Sequence, residues 1–481
     1  VLAAFLAYGF FLAFHLGAYA GGADSSGYLN SARLLAHGAT ATPQRVPPGL
    51  DPAQLDLYAF VPLGFIPLQG HRLVPNYPIG VPLGLAATAR VIGWRLAPPL
   101  FMLACALAAV ALMIPLGRAA GLPVAWSIFG AFLFGASPLT TFMSLQLMSD
   151  IPATAAATAT ILCAWYGRSR RPWALLAGFS LALAVLIRPS NLLLVAPVAL
   201  CLGLDWRRWL LLGLGGLPGG VCQLIYNAVA YGNPLTSGYG SFGHLFTLAV
   251  IPPTLAHYAH WLPILLTPIG VLALAFPWLA RRTLFTWVLV LWVIVIFGFY
   301  TPYWHTHETW WFLRFLLPAF PAAIVGGLWV LHALWLQFSL PLPSASRVTR
   351  SLALAAVVGL LLFARFWHVR LGAHDVGRAE SIYPEASIWT TQHLPADATI
   401  LAMQMSGALT YYTQHPVVRW DSVKAVGLAQ ITRASLGQKR PLYAVLFPFE
   451  VSQFLALGGD GQWTQIGAVR EVTLWQWRPA P

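Results

Sequence analysis

A chain of 481 residues that is 58% hydrophobic and only 9% charged carries too much apolar surface for a water-soluble shell, in which about 25% of residues are charged. That composition is one of a polytopic membrane protein. The net charge of +13, with only Lys424 and Lys439 as lysines among 27 basic residues, is accounted for by arginine-rich cytoplasmic loops before nucleic acid is invoked. No nucleic-acid patch, Walker loop, GxGxxG or Ser-His-Asp pattern is visible. The four cysteines, Cys105, Cys163, Cys201 and Cys222, all lie in apolar runs and read as small hydrophobes.

Residues 1–19 form the first apolar run; without a basic n-region or a convincing cleavage site they read as a retained span. Residues 21–38, GGADSSGYLNSARLLAHG, follow directly and carry Asp24, the first charged residue of the chain. Asp24-Ser25-Ser26 reads as an N-cap cluster. Tyr28, Leu29, Ala32, Leu34 and Leu35 give a short amphipathic helix that Gly38 would close. Further spans of ~20 residues are expected at 97–117, 122–143, 151–166, 173–187, 191–204, 209–229, 261–280, 283–300, 314–337 and 351–368, eleven in all. Residues 79–93 are apolar but short and are read as a half-embedded or interfacial helix. The first outer loop, 20–96, is long and rich in Pro and aromatics, as functional loops often are. From about residue 373 the chain turns polar. Strands are expected at 398–403, 416–420, 442–447, 462–469 and 472–477, and helices near 383–393, 405–413, 422–435 and 449–456. The fold class is thus a mainly α transmembrane bundle, 1–372, followed by a soluble extracytoplasmic α/β domain, 373–481.

Arginine placement orients the chain. With the N-terminus inside, the short inner loops hold Arg118; Arg168, Arg170 and Arg171; Arg207 and Arg208; Arg281 and Arg282; and Arg347 and Arg350, as the positive-inside rule asks. Of the 14 acids, eight lie after residue 372, leaving Asp24, Asp51, Asp56, Asp150, Asp205 and Glu308. All but Asp205 then face the outer side. A carrier with a midplane site would place acids within its spans; this distribution points to chemistry at the outer rim.

The segments GGADSSGYLNSARLLAHG, PNYPIGVPLGLAATARVIG (75–93), SLQLMSDIPATAAATAT (144–160), IRPSN (187–191), YGNPLTSGYG (231–240) and LRFLLPAFPA (313–322), in this order and spacing, resemble the GT-C superfamily of integral-membrane glycosyltransferases, in the branch of protein O-mannosyltransferases and bacterial aminoarabinose and related transferases. The resemblance covers the membrane part to about residue 340, and more weakly the tail. It implies a multi-pass protein of the bacterial inner membrane that takes a sugar from a polyprenyl-phosphate donor on the extracytoplasmic face. It makes Asp24, after the first span, the catalytic base. Where the family often has a second acid directly after this Asp, Ser25 stands here. Asp150-Ile151-Pro152 fits a second acid-x-Pro element of the family.

The residues themselves are consistent with that chemistry. An acceptor hydroxyl loses its proton as it attacks, a task for which a positioned carboxylate supplies ~10²–10⁴-fold. A phosphate leaving group needs no separate acid, unlike the two-carboxylate glycosidases. Asp24 and Asp150 also have bland readings as helix caps. Arg188 and Arg314, at outer span ends, either snorkel or bind the donor phosphate. His305 and His307 are assigned with them to the phosphate. His-x-His in an extended segment would put both rings on one face, next to Glu308. No third ligand stands at a telling spacing, so no metal or other cofactor is predicted. Glu308, Tyr28 and Tyr77 are read as acceptor or sugar contacts, His71 and Arg72 as a solvated loop, and Gly407 as a turn. Membrane lipid is the medium, the acceptor is an unspecified lipid, glycan or protein, and no nucleic acid is involved. The competing functions are a lipid-linked sugar flippase and a polysaccharide polymerase or ligase. The orientation is testable. Ser169→Cys should resist a membrane-impermeant thiol reagent on intact cells and Thr236→Cys should react; the reverse labelling would overturn it.

Overall fold

The computed structural model describes residues 2–240, 243–338, 345–458 and 461–479. It is mainly helical, with sheet confined to the first loop and the tail. Its residues fall into two compact units, the first comprising Val1–Leu16, Pro99–Gln223 and Ser241–Val376, the second Gly17–Pro98, Leu224–Gly240 and Gly377–Pro481.

The first unit is a helical bundle around Met113, Phe134, Ile161, Trp292 and Phe320. Large apolar side chains also point outward, among them Phe10, Phe14, Leu210, Leu214, Leu217 and Ile294, the arrangement expected where the outer medium is lipid. Among the described residues three helical runs, Ala97–Ala119, Trp206–Tyr231 and Trp310–Gln337, are long and apolar enough to cross a membrane, or four if Val124–Gly135 and Pro138–Ser144, bent by 64°, count as one. Helix length therefore does not return the expected eleven spans. Turn chemistry shortens some of the others, whereas the run expected at 351–368 lies within the 26-residue helix Ala345–Arg370. Ser137 caps a new helix at Pro138. The run expected at 261–280 breaks at Thr267, which adopts φ +62° ahead of Pro268. Arg188, forced extended by Pro189, ends the helix Pro172–Ile187. Residues 339–344 of the expected inner loop 338–350, and the side chains of Arg347 and Arg350, lie outside the described residues.

In the second unit, Ala23–Ala36 forms the expected short helix and packs against the helix Gly80–Ile92. The latter, at 13 residues, is about 20 Å long and too short to span. Between them lies an antiparallel sheet that the sequence reading did not anticipate, built from β1 (Thr42–Pro43), β2 (Phe65–Leu68) and β3 (Arg72–Pro75) in the order β1-β3-β2. Its strands are too short and proline-rich to register as alternating patterns. The tail carries the expected strands β4 (Thr399–Leu401), β5 (Val417–Val418), β6 (Leu442–Leu446), β7 (Gln462–Val469) and β8 (Val472–Arg478) in the order β5-β4-β6-β8-β7. The first three are parallel, and β8 and β7 add antiparallel strands. Helices Ile382–His393, Ser406–Tyr412, Ala425–Gly437 and Pro448–Ala456 occupy the expected positions. One hydrophobic core joins the first loop to the tail: Ala59 and Phe60 pack with Val418, Trp420, Leu446, Phe454 and Trp477, and the Arg419 N–H donates to the Ala59 carbonyl at 2.7 Å.

Glu450 is buried in this unit, 1% exposed. Its carboxylate accepts from the Phe447 N–H at 2.8 Å, the Trp420 indole N–H at 2.9 Å, and the Met403 and Gln404 N–H groups at 3.3 Å. Glu450→Ala leaves four donors without an acceptor and should lower stability by roughly 3 kcal/mol. Thermal unfolding of the purified chain checks this; an unchanged melting temperature would contradict it.

Candidate functional site

The residues singled out from sequence gather in two places, one in each unit. In the second unit, Asp24 lies in the first turn of the helix Ala23–Ala36, whose N-cap is Gly22 and has no side-chain cap. The N-cap reading of Asp24 therefore fails. Its carboxylate is turned instead toward Tyr77, whose hydroxyl donates to Asp24 Oδ1 at 2.5 Å. Burial, and next the Asp24 charge, push the Tyr77 phenol well above its usual range, so Tyr77 stays a donor. The Tyr28 ring lies tilted 5.0 Å from that of Tyr77, and Tyr239 meets Tyr77 edge-on at 6.2 Å. Gly27 makes the approach possible, since a Cβ there would lie 2.4 Å from the Tyr77 ring. Ser25 is buried and its hydroxyl accepts the Gly21 N–H at 3.0 Å. His71 and Arg72 are exposed beside the β2–β3 turn. Gly407 opens the helix Ser406–Tyr412, and its carbonyl accepts from the Asn30 amide at 3.2 Å.

In the first unit, Asp150 is fully buried at the first turn of the helix Asp150–Tyr166. It too does not cap. Arg188 Nη2 lies 2.7 Å from Asp150 Oδ1, and Arg314 Nη1 lies 4.0 Å from Oδ2. Arg188 Nε donates to Ser149 Oγ at 3.2 Å. Both guanidinium groups stand over the Phe315 ring, at 5.2 and 5.3 Å. Phe315 stacks on Tyr300 at 5.2 Å, and the Tyr300 hydroxyl donates to Ser190 Oγ at 2.8 Å. Two guanidinium groups thus flank one carboxylate in an aromatic-lined place, and guanidinium groups are suited to binding anions.

The loop after Tyr300 departs from expectation. Trp304–His307 is a 3₁₀ turn, not an extended segment, and side chains two residues apart on such a turn face different ways. His305 stacks on Phe312 at 5.4 Å and bonds Glu308 Oε1 at 3.1 Å, while His307 turns to Trp304 at 5.3 Å. His305 and Glu308 thus border the aromatic cluster through Phe312, and His307 packs on Trp304. Among the described residues no group of three His, Cys, Asp or Glu side chains could hold a metal ion.

No family model matches the chain, and no curated protein matches it. Solved structures do. The chain is similar to ArnT from Cupriavidus metallidurans in the apo state, with a TM-score of 0.57, 15% identity, and coverage of 99% of this chain and 97% of that one. It is similar to the same protein bound to undecaprenyl phosphate, with a TM-score of 0.53 at the same identity and coverage. It also matches the apo oligosaccharyltransferase of Archaeoglobus fulgidus, with a TM-score of 0.51, 12% identity, and coverage of 100% of this chain and 74% of that one. The chain has the GT-C fold.

Within this GT-C fold the sequence reading found the charged members of both clusters and missed their supports. Tyr300 and Phe315 read as ordinary span residues, Ser149 as part of a short outer connection, and Tyr239 as a loop aromatic. Glu380, from the tail, lies against Gly21; its only sequence signal was the Gly21-Gly22 pair, a place where something can come close. Asp150→Ala removes the buried carboxylate that two guanidinium groups share and should cost about 3–5 kcal/mol. Adding Arg188→Ala should return part of that loss in thermal unfolding; a double variant no more stable than the single one would show that charge pairing does not hold the cluster.

Proposed function

We propose that the chain is a glycosyltransferase of the bacterial cytoplasmic membrane that moves a sugar from a polyprenyl-phosphate donor to an acceptor on the outer face, with inversion. The observation that carries this reading is the Asp24 carboxylate, held by the Tyr77 hydroxyl at 2.5 Å instead of being spent on a helix cap. Asp24 takes the acceptor proton as its oxygen attacks the anomeric carbon, the bond to the donor phosphate breaks, and the phosphate leaves with the electron pair. Tyr77 orients the base, and Tyr28 and Tyr77 offer ring faces to a sugar. Arg188 and Arg314 bind the donor phosphate and hold its growing charge; Asp150 fixes them, and His305 and Glu308 flank them.

Two further observations support the reading. The likeness to ArnT includes a structure bound to undecaprenyl phosphate. The first unit also contains an apolar cavity of about 560 Å³, lined by Tyr258, Leu262, Leu266, Val293, Phe297 and Gly326 among others, which suits an isoprenoid tail. In this reading residues 1–372 form the catalytic membrane domain, with the N-terminus inside, and 373–481 lie outside.

The test compares wild type with Asp24→Asn in proteoliposomes, using a panel of radiolabelled undecaprenyl-phosphate sugars and bacterial membrane lipids as acceptors. The variant should keep its melting temperature and lose transfer by ~10²–10⁴-fold. Retained transfer would remove Asp24 as base. Donor movement across the bilayer without any acceptor, equal in both proteins, would instead make the chain a flippase.

A further inference from the structure

The start of the first-loop helix is clasped by the tail. The Ala20 N–H donates to the Tyr412 hydroxyl at 2.9 Å. Gly17 lies against the backbone of Gly377, and the Gln404 amide, which donates to the Tyr383 hydroxyl at 2.8 Å, lies against Gly22. In the middle of this clasp Glu380, the last residue of the helix Val376–Glu380, lays its carboxyl on Gly21. A Cβ built on Gly21 would fall 2.0 Å from Glu380 Oε2, so any other residue there would displace the carboxyl. Gly21 is three positions before Asp24 and is tied to the same helical turn through Ser25. The groups that bear on Glu380 are Asp24 and Tyr383, and among the described residues no basic side chain pairs with it. A carboxyl brought to such a place, with no cation to balance it, has a reason other than an ion pair to be there.

We propose that Glu380 is a positioning residue for Asp24, whose charge state sets how strongly Asp24 takes a proton. The proposal rests on the reading of Asp24 as a general base. A neighbouring negative charge makes a carboxylate hold a proton more tightly, so an ionised Glu380 makes Asp24 the stronger base and a protonated Glu380 makes it the weaker one. Burial, and then the Asp24 charge, raise the Glu380 carboxyl to about 7, so it exchanges its proton near neutral pH. The sign follows: base strength at Asp24 rises as pH rises through this range and Glu380 ionises.

Two measurements on the full chain test this. In the first, pH-difference infrared spectra of the purified protein should contain a carboxyl band that titrates near neutral pH. The band should vanish in Glu380→Gln, and it should move to lower pH in Asp24→Asn and in Gly21→Ala. A Glu380 band that titrates in the ordinary carboxylate range, or that does not respond to Asp24→Asn, overturns the proposal. In the second, transfer from the undecaprenyl-phosphate sugar panel should rise about three- to tenfold through neutral pH in wild type. Glu380→Gln and Gly21→Ala should flatten that rise, and Glu380→Asp should keep it; superimposable profiles overturn the proposal. The two readings fail separately. If no panel sugar is transferred, the glycosyltransferase reading falls, while the infrared titration still decides whether Glu380 and Asp24 are coupled. Gly21→Ala guards against a folding artefact, because its Cβ would meet only side-chain atoms, the Glu380 carboxyl at 2.0 Å and Ser25 Oγ at 3.1 Å.

Discussion

A buried charge needs an opposite charge beside it, and Asp150 is wholly shut off from solvent. Its nearest partner is Arg188, and Arg188 depends in turn on Pro189, which denies it a helical conformation and ends the helix Pro172–Ile187 where the guanidinium can reach. Arg314 enters from the 3₁₀ segment Trp310–Ala319, a tighter winding than the α-helix that follows it. Phe315 then supplies a ring face to both cations. One proline and one change of helical pitch thus place two positive charges around one negative one, and the aromatic shell keeps water from diluting their field.

The second unit solves a different problem. Asp24 is half-buried and meets a neutral donor, the Tyr77 hydroxyl. A neutral partner orients a carboxylate without neutralising it, so the group remains available to take a proton. An arginine in the same position would have lowered its basicity. The contrast between the two acids is one of partners: Asp150 lies beside two guanidinium groups, whereas Asp24 accepts from a phenol hydroxyl.

What could be read in the sequence follows from the range of the forces involved. The tail strands and helices were legible because each is set by a local alternation or period, and β4, β6 and β8 contain long enough apolar runs to show it. The helix after residue 22 was legible for the same reason. The first-loop sheet was not, because strands such as Thr42–Pro43 carry too little pattern and exist through pairing. The spans at 122–143 and 261–280 looked continuous because hydropathy does not register the breaks at Ser137 and Thr267. Asp24, Asp150, Arg188 and Arg314 stood out as rare charges in an apolar chain. Their partners did not, since Phe315, Tyr300 and Glu380 acquire meaning only when distant segments meet. His305 and His307 were expected on one face because alternation was assumed where the backbone winds into a turn.

The core that Ala59 and Phe60 share with Trp420, Phe454 and Trp477 has a bearing on how the protein is made. Synthesis proceeds from the N-terminus at about 5–20 residues per second, so the first loop exists for tens of seconds before its packing partners leave the ribosome. During that interval the apolar side of the loop is bare and the backbone carbonyl of Ala59 waits for a donor that has not yet been translated. Maturation of the unit containing Asp24 is therefore a late event. A ribosome that stops before residue 420 leaves behind a chain with many of its apolar helices complete and Asp24 without a finished setting.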